Sequence, residues 1–381
     1  MRILNYNFRN YLSFFILFFI INSSYAASIS DRDYEKKIVQ EFKINADALI
    51  EFDTRHGDVS ISHADSNIAF FEVTISTDAE SQEDADRIFS GIEIDFTDTK
   101  SAVSVTTDVD LNSNNRGGWF SSLFGGGNNN INFQIDIEVK LPRTVELDIE
   151  HTFGDVFIPE MDNEVEVEIR HGNGRLASIN ADAIIGIQHG KIMMQNAHNL
   201  DIECHHSKFY SGNAQNVTVD ISHSDLEMDT ADKVDIDGSH SDFVFKRVNQ
   251  MVTDISHSDF EIDELEYAEF DTNFGDIEIG LIGKEGVFEM QHGSIEIEDV
   301  SPSTKRLDFD VQHSGISLDI DEAFSLDYDG QHAEPKIKNE LNYTNRDDRS
   351  NSYKCKGTYG NSNPTLLIEV EMQHGSFRIN N

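Results

Sequence analysis

The chain has 381 residues and a formal net charge of −41, because 70 aspartates and glutamates outnumber 29 lysines and arginines. A surface this acidic repels nucleic acid and anionic lipid headgroups, and it attracts cations or basic partners. Nucleic-acid binding is therefore excluded, and the simplest interpretation of the charge is a solvated, salt-tolerant exterior.

Residues 1–26 are predicted to be a cleaved secretory signal peptide. Arg2 and Arg9 precede an apolar run over residues 11–21, and Ser24 and Ala26 supply small residues before the expected cleavage point. The apolar run is short for a membrane-spanning helix. The sequence therefore predicts an exported protein, located in the periplasm, at the cell surface or outside the cell.

Residues 27–150 are predicted to form an N-terminal β cap that includes the first repeat and one short helix, in the segment SQEDADRIFSGIEI. This region contains a Gly- and Asn-rich loop, residues 112–130, whose tip carries Trp119, Phe120, Leu123 and Phe124. Exposed aromatic side chains on a flexible loop indicate contact with a partner or a membrane. The alternative is that this tip folds back to cover the open end of a stack of strands.

Residues 151–381 are dominated by a repeat of 17 to 21 residues, seen in DISHSDLEMD and DISHSDFEID. Aligning the units on one aromatic residue, which we call the corner residue, gives thirteen units. The corner residues are His56, Phe153, His171, His189, His206, His223, His240, His257, Phe274, His292, His313, His332 and His374. The last step is 42 residues and predicts a degenerate unit between the final two corners. A period this short predicts a β-solenoid, because one unit alone cannot bury a face.

The residues around each corner repeat as well. An acid stands three positions before the corner in twelve units, Gly186 being the exception, and Gly, Ser or once Ala follows the corner. In an extended strand the corner shares a face with the second and fourth residues before it. This phase predicts a histidine ladder at an inner corner, flanked by an outer ladder of carboxylates. It also favours a buried thiol at Cys204, although Cys204 and Cys355 could pair in an oxidising compartment.

The pattern of an alternating strand followed by a Gly-Asp corner, in EFDTRHGDVSIS, DIEHTFGDVFIP and FDTNFGDIEIG, resembles the adhesin-like β-strand-repeat domains of unknown function. The entry segment, with its short helix followed by AVSVTTDV and INFQIDIEVKLPRTVELDI, resembles them too, and the likeness covers about Glu51 to Asn381. The resemblance implies a right-handed parallel β-helix without catalytic residues. Those families typically have Ser or Thr where this chain has corner histidines. We therefore predict an all-β, right-handed parallel β-solenoid of about thirteen coils.

The histidine ladder has two interpretations. It could fill the corners by ring contacts, and the two phenylalanine corners favour this. Alternatively, imidazoles on adjacent coils could share Zn²⁺ or Cu²⁺, with nearby aspartates as further ligands. The candidate metal ligands are His189, His205, His206, His223, His240, His257, Asp225, Asp242 and Asp259.

The carboxylate ladder predicts either screening by salt or bound Ca²⁺, because like charges on neighbouring strands repel each other. An enzyme that acts on polysaccharides would need a local cluster of polar residues found in one unit alone, whereas these acids recur in nearly every unit. The favoured function is therefore a non-enzymatic scaffold that contacts a cell-surface or envelope component, protein or glycan. A divalent-cation-binding protein is the alternative and a carbohydrate-active β-helix enzyme the third. No cofactor is required by the first of these, and membrane contact is expected only through loop 112–130.

Overall fold

The computed structural model describes residues 34–109, 133–338, 340–349, 351–360 and 363–380. The predicted signal peptide and the loop at 112–130, with Trp119, Phe120, Leu123 and Phe124, lie outside the described residues. Within the described part, no helix has the length and apolar character needed to cross a membrane.

The described chain is almost entirely β-structure, as the sequence predicts. The strands before the main repeats are β1 Tyr34–Lys43, β2 Leu49–Arg55, β3 Val59–His63, β4 Ile68–Thr77, β5 Ile92–Asp98, β6 Ala102–Val109 and β7 Phe133–Leu141. The next strands are β8 Glu146–Thr152, β9 Val156–Ile158, β10 Val165–Arg170, β11 Asn173–Leu176, β12 Ala183–Gln188, β13 Lys191–Met194, β14 Asn199–His205, β15 Lys208–Ser222, β16 Asp225–Ser239, β17 Asp242–Ser256 and β18 Asp259–Val300. The final strands are β19 Arg306–Gln312, β20 Ser314–Asp319, β21 Phe324–Gln331, β22 Lys336–Ile337, β23 Asn342–Arg349, β24 Ser352–Thr358, β25 Leu366–Gln373 and β26 Ser376–Asn380.

Successive repeats pair in parallel, each strand with its equivalent one repeat later. β10 pairs with β8 on one side and β12 on the other, and β11 pairs likewise with β9 and β13. From β15 to β18 the register continues without a shift across whole repeats. Antiparallel pairs occur at both ends of the chain, so the sheet as a whole is mixed.

The first repeat joins the stack although a long insertion separates it from the second. β2 pairs in parallel with β8, and β3 pairs with β7 and β9. The insertion contains the antiparallel strands β4 and β7, the hairpin β5–β6, and one α-helix, α1 Gln82–Ser90. The Ser81 side chain accepts a hydrogen bond from the Asp84 backbone amide and caps this helix, which the sequence predicts correctly.

The last repeat does not follow the order of the chain. β25 lies between β19 and β21, parallel to both, and β26 lies between β20 and β22. The predicted degenerate unit between His332 and His374 is wrong. That segment instead forms an antiparallel hairpin, β23–β24, attached to β21.

The core consists of apolar side chains at equivalent positions of successive repeats. Phe243 stacks on Phe260 with ring centroids 4.5 Å apart, and Phe270, Phe288 and Phe309 stack in the same way. Cys204 and Cys355 are both buried and both free, so the predicted buried thiol is confirmed and the disulfide is not formed. Burial raises the pKa of the Cys204 thiol to about 11.

Candidate functional site

The corner residues have an unusual backbone conformation. Eleven of the thirteen have a positive φ, between 50° and 66°, and the exceptions are Phe274 and His292. Left-handed backbone costs L-residues energy, although His, Asn and Asp tolerate it better than most side chains. The corner is therefore a turn that is built mainly from histidine in place of glycine.

The corner rings lie outside the stack, so the predicted inner ladder of histidines is wrong. Phe153 and Phe274 are 50% and 41% exposed, and ten of the eleven corner histidines are exposed. Side chains alternate between the two faces of a strand only where its backbone is extended. At the eleven corners where φ is positive, the side chain two residues earlier, such as Cys204 or Ile221, points inward and the corner ring points outward.

The corner rings nevertheless form one line along the molecule, as the repeat predicts. Neighbouring ring centroids lie 4.5–5.3 Å apart, and all but one of the pairs in the line are stacked, the pair His206–His223 being tilted by 37°. His374 lies between His313 and His332, because the last repeat is inserted there. We call this line the ring stack.

The small residue after the corner has a role that the sequence does not reveal. Ser207, Ser224, Ser241 and Ser258 are buried beneath the ring stack. The Ser241 hydroxyl donates to the Ser239 carbonyl at 3.0 Å and accepts a hydrogen bond from the Ser224 backbone amide at 3.3 Å. The other serines repeat this pattern. Each hydroxyl thus links two repeats in place of a missing backbone bond.

The acids three positions before the corners lie side by side on the surface, so the predicted outer ladder of carboxylates is confirmed. Glu203, Asp220, Asp237 and Asp254 are consecutive partners in the parallel register, and all four are exposed. Like charges in this arrangement repel each other. The row therefore favours bound or screening cations.

A second row of acids follows the corners. Asp225, Asp242 and Asp259 are register partners, and burial, then the charges of Asp225 and Asp259, raise the pKa of the Asp242 carboxyl. Lys208 forms an ion pair with Asp225. The Asp259 carboxylate accepts a hydrogen bond from the Asp276 backbone amide at 2.8 Å.

The proposed metal ligands are close along the stack but do not converge. The rings of His223, His240 and His257 are parallel within 3°, with centroids 4.8 and 4.7 Å apart. Imidazole lone pairs lie in the ring plane, so stacked rings direct them side by side and not toward a common point. Across the described residues, no three His, Cys, Asp or Glu side chains form a group that could hold a metal ion.

His205 lies in a different line from His206, which corrects the prediction that the two share one ladder. His206 belongs to the ring stack, between His189 and His223. His205 instead pairs with Gln188 and Ser222, and its ring nitrogens contact the Ser222 hydroxyl at 2.7 Å and the Glu203 carboxylate at 3.1 Å.

One histidine is buried at the start of the stack. His151 is 2% exposed, and its Nδ1 forms a hydrogen bond with the Thr54 hydroxyl at 2.8 Å. Burial lowers the pKa of His151 to about 4. The ring is therefore neutral at ordinary pH, and it joins the first repeat to the second.

Two surface depressions lie on the stack of repeats. The larger, of about 770 Å³, is lined by residues of six successive repeats, from Asn196 to Lys284. Its walls carry amide and hydroxyl side chains, including Asn213, Gln215 and Asn249. The smaller, of about 360 Å³, lies beside His56 and His151. The smaller depression is mainly polar, whereas the lining of the larger one also includes apolar residues such as Ala214 and Val248.

Comparison with known proteins gives only distant likenesses. No family model and no curated protein matches the chain. Among solved structures, a putative cell adhesion protein from Clostridium sporogenes is 9% identical, with 91% of this chain and 99% of that chain covered and a TM-score of 0.19. A putative adhesin from Parabacteroides merdae is also 9% identical, with coverage of 74% and 96% and a TM-score of 0.27.

A putative lipid binding protein from Parabacteroides distasonis is again 9% identical, with 91% of this chain and 97% of that chain covered and a TM-score of 0.24. At these TM-scores, the likenesses define neither the fold nor the function of this chain.

Proposed function

We propose that the protein is an exported, non-enzymatic scaffold, a right-handed parallel β-solenoid that binds a component of a cell surface or envelope. The parallel register of successive repeats supports the solenoid, and the general preference for right-handed parallel crossovers supports its hand. The signal-like N-terminus supports export.

The observation that carries this function is the continuity of the surface. The ring stack passes through all thirteen corners, and at strand spacing it extends over about 60 Å. The row of carboxylates beside it recurs in nearly every repeat. A long, rigid and repetitive surface is suited to an extended partner, whereas a catalytic site would concentrate different groups at one place.

The proposal is tested with the purified mature chain, fluorescently labelled, on whole cells and on isolated envelopes. We expect saturable binding that unlabelled protein displaces. Cell fractionation checks export, and a panel of polysaccharides checks turnover. Protein that stays in the cytoplasm, binds no cells or envelopes, or cleaves a polysaccharide would contradict the proposal.

A second function, divalent-cation binding, is favoured by the crowded row Asp225, Asp242 and Asp259, where burial and then the charges of the neighbouring carboxylates raise the pKa of Asp242. Metal content by mass spectrometry after Zn²⁺ or Ca²⁺ loading and exhaustive dialysis tests it. The triple variant His223/His240/His257→Ser removes imidazoles, and the matched variant with Phe at these positions keeps the rings. Zn²⁺ retained by the natural chain and lost in both variants supports a histidine site.

A further inference from the structure

The acidic surface is interrupted in one zone of the stack. Residues 169–219 contain three acids, Asp182, Asp201 and Glu203, and four bases, so this zone has a net charge of +1 in a chain of −41. It spans the repeats with corners His171, His189 and His206. The bases of this zone are Arg170, Arg175, Lys191 and Lys208.

The register brings most of these bases to one exposed face, together with apolar side chains. Arg175 pairs with Phe157 and Met193, Lys191 pairs with Lys208, and Met193 pairs with Tyr210. Met193 is 39% exposed, although it is apolar. We call this set of six residues the cation–aromatic face.

Two of the three cations of this face lie against its rings. The Lys191 Nζ lies 4.4 Å from the centroid of the Tyr210 ring, and the Arg175 guanidinium lies 5.7 Å from that of Phe157. The other two bases of the zone form ion pairs, Lys208 with Asp225 and Arg170 with Glu168, whereas within the described residues neither Arg175 nor Lys191 forms an ion pair with a carboxylate. Both charges are therefore available to an external anion, despite the large excess of acids elsewhere.

Carboxylates limit the face at both ends of the zone. Asp225 pairs with Lys208, and Glu227 is the register partner of Tyr210. At the other end, the Asp155 carboxylate accepts a hydrogen bond from the Asn173 backbone amide at 2.9 Å. An anionic partner is thus accommodated over about four strands, roughly 15 Å at strand spacing, and repelled beyond them.

We propose that the cation–aromatic face binds an acidic saccharide. This rests on the proposed function and names the class of its partner. Lys191 and Arg175 would contact the carboxylate or sulfate of the sugar, and Tyr210, Phe157 and Met193 would pack against the apolar C–H face of the ring.

Other anionic partners fit this face less well. A peptide that adds as a strand needs a free sheet edge, but β11 is paired on both sides by β9 and β13, and β13 by β11 and β15. Nucleic acid carries a dense charge that the remaining acidic surface repels. A short acidic saccharide needs only side-chain contacts, which this face supplies.

The test compares the double variant Arg175→Gln/Lys191→Gln with the control Lys336→Gln/Arg378→Gln. The control residues are register partners, are exposed, and lie in the last repeats of the stack, so the change of net charge is equal. Binding is measured by calorimetry with trigalacturonate, a short acidic saccharide, as the probe, and with maltotriose and triglutamate for comparison. Unfolding curves verify that both variants fold.

We expect the natural chain and the control to bind trigalacturonate, and the Arg175/Lys191 variant to bind it at least about tenfold more weakly, because two charge-assisted contacts are lost. Neutral maltotriose is expected not to bind. Equal weakening in the control, or equally tight binding of triglutamate, would overturn the proposal. If the natural chain and the Arg175/Lys191 variant bind envelopes equally well, the proposal of a saccharide-binding face is refuted but the proposed function is not. If the natural chain binds no envelope, the proposed function itself is refuted.

Discussion

The backbone at each corner residue restricts which side chains can stand there. His240 has a φ of 56°, and its ring lies between those of His223 and His257 at 4.8 and 4.7 Å. The position therefore needs a side chain that tolerates left-handed backbone and supplies a flat ring. Phe153 shows that a phenyl ring satisfies both needs, at a φ of 66°.

Substitutions at His240 separate these two needs. We expect His240→Val to lower the free energy of unfolding by about 2 kcal/mol, because a β-branched side chain is strained in the left-handed region. His240→Phe should be nearly neutral, and His240→Asn, which loses the ring but tolerates the backbone, should lie between them. Urea unfolding gives the ranking, and equal losses for Val and Asn would show that the backbone conformation costs nothing.

His151 predicts a specific dependence of stability on pH. Its pKa is about 4 in the folded protein and about 6.5 when unfolded, so the unfolded chain binds the proton more readily. Above pH 6.5 the residue has no effect. As the pH falls from 6.5 to 4, it removes about 3 kcal/mol of stability.

The variant His151→Ile tests this, because Ile169 is the register partner of His151 in the next repeat. The difference in unfolding free energy between the natural chain and the variant should shift in favour of the variant as the pH falls over that window. A difference that stays constant between pH 7 and pH 4 would show that His151 does not titrate there.

At the scale of the strands, the hydroxyl groups of the buried serines join neighbouring repeats at their corners by hydrogen bonds. We expect Ser241→Ala to destabilise the protein by about 1–3 kcal/mol, because the buried Ser224 amide loses its acceptor. Ser239→Ala is the matched control, since its side chain forms no hydrogen bond within the described chain. Thermal unfolding of both variants measures the difference, and equal midpoints would contradict the role of the hydroxyl.

The repeat, its corner positions and the row of carboxylates are predictable from the sequence, because they follow from spacing alone. The outward direction of the histidines is not predictable from the sequence. Side chains alternate between faces only along extended backbone, and φ is positive at corners such as His223 and His240. The order of the final repeats is also hidden, because β25 takes its place by pairing with strands distant in sequence. The cation–aromatic face can be recognised only from the strand register, although the scarcity of acids around it is visible in the sequence of residues 169–219.

For the whole molecule, the charge of −41 predicts stability that increases with salt. Rows of like carboxylates repel each other at strand spacing, and ions screen that repulsion. We expect the midpoint of thermal unfolding to rise by several degrees between about 10 mM and 500 mM NaCl. If micromolar Ca²⁺ had the same effect at constant ionic strength, ordered calcium sites would replace screening as the explanation.

The inserted last repeat, β25 and β26, holds the two preceding repeats together. β25 and β26 separate β19 and β20 from β21 and β22, and they supply parallel partners to both sides. Their inward side chains, such as Phe377 and Ile368, are fully buried. Removing them leaves the repeat of His332 without its neighbour and exposes the face of the repeat of His313.

We therefore expect a chain truncated after Thr358 to lose the folded structure of residues 324–358 and to unfold at a lower temperature. Removal of residues 1–43 is the control, because β1 is an edge strand whose one strand partner among the described residues is β4. Hydrogen exchange should show fast exchange over β21 to β24 in the first variant and normal protection there in the second. Full protection of β21 in the truncated chain would mean that its repeat is stable without the inserted strands, contrary to the pairing that the structure shows.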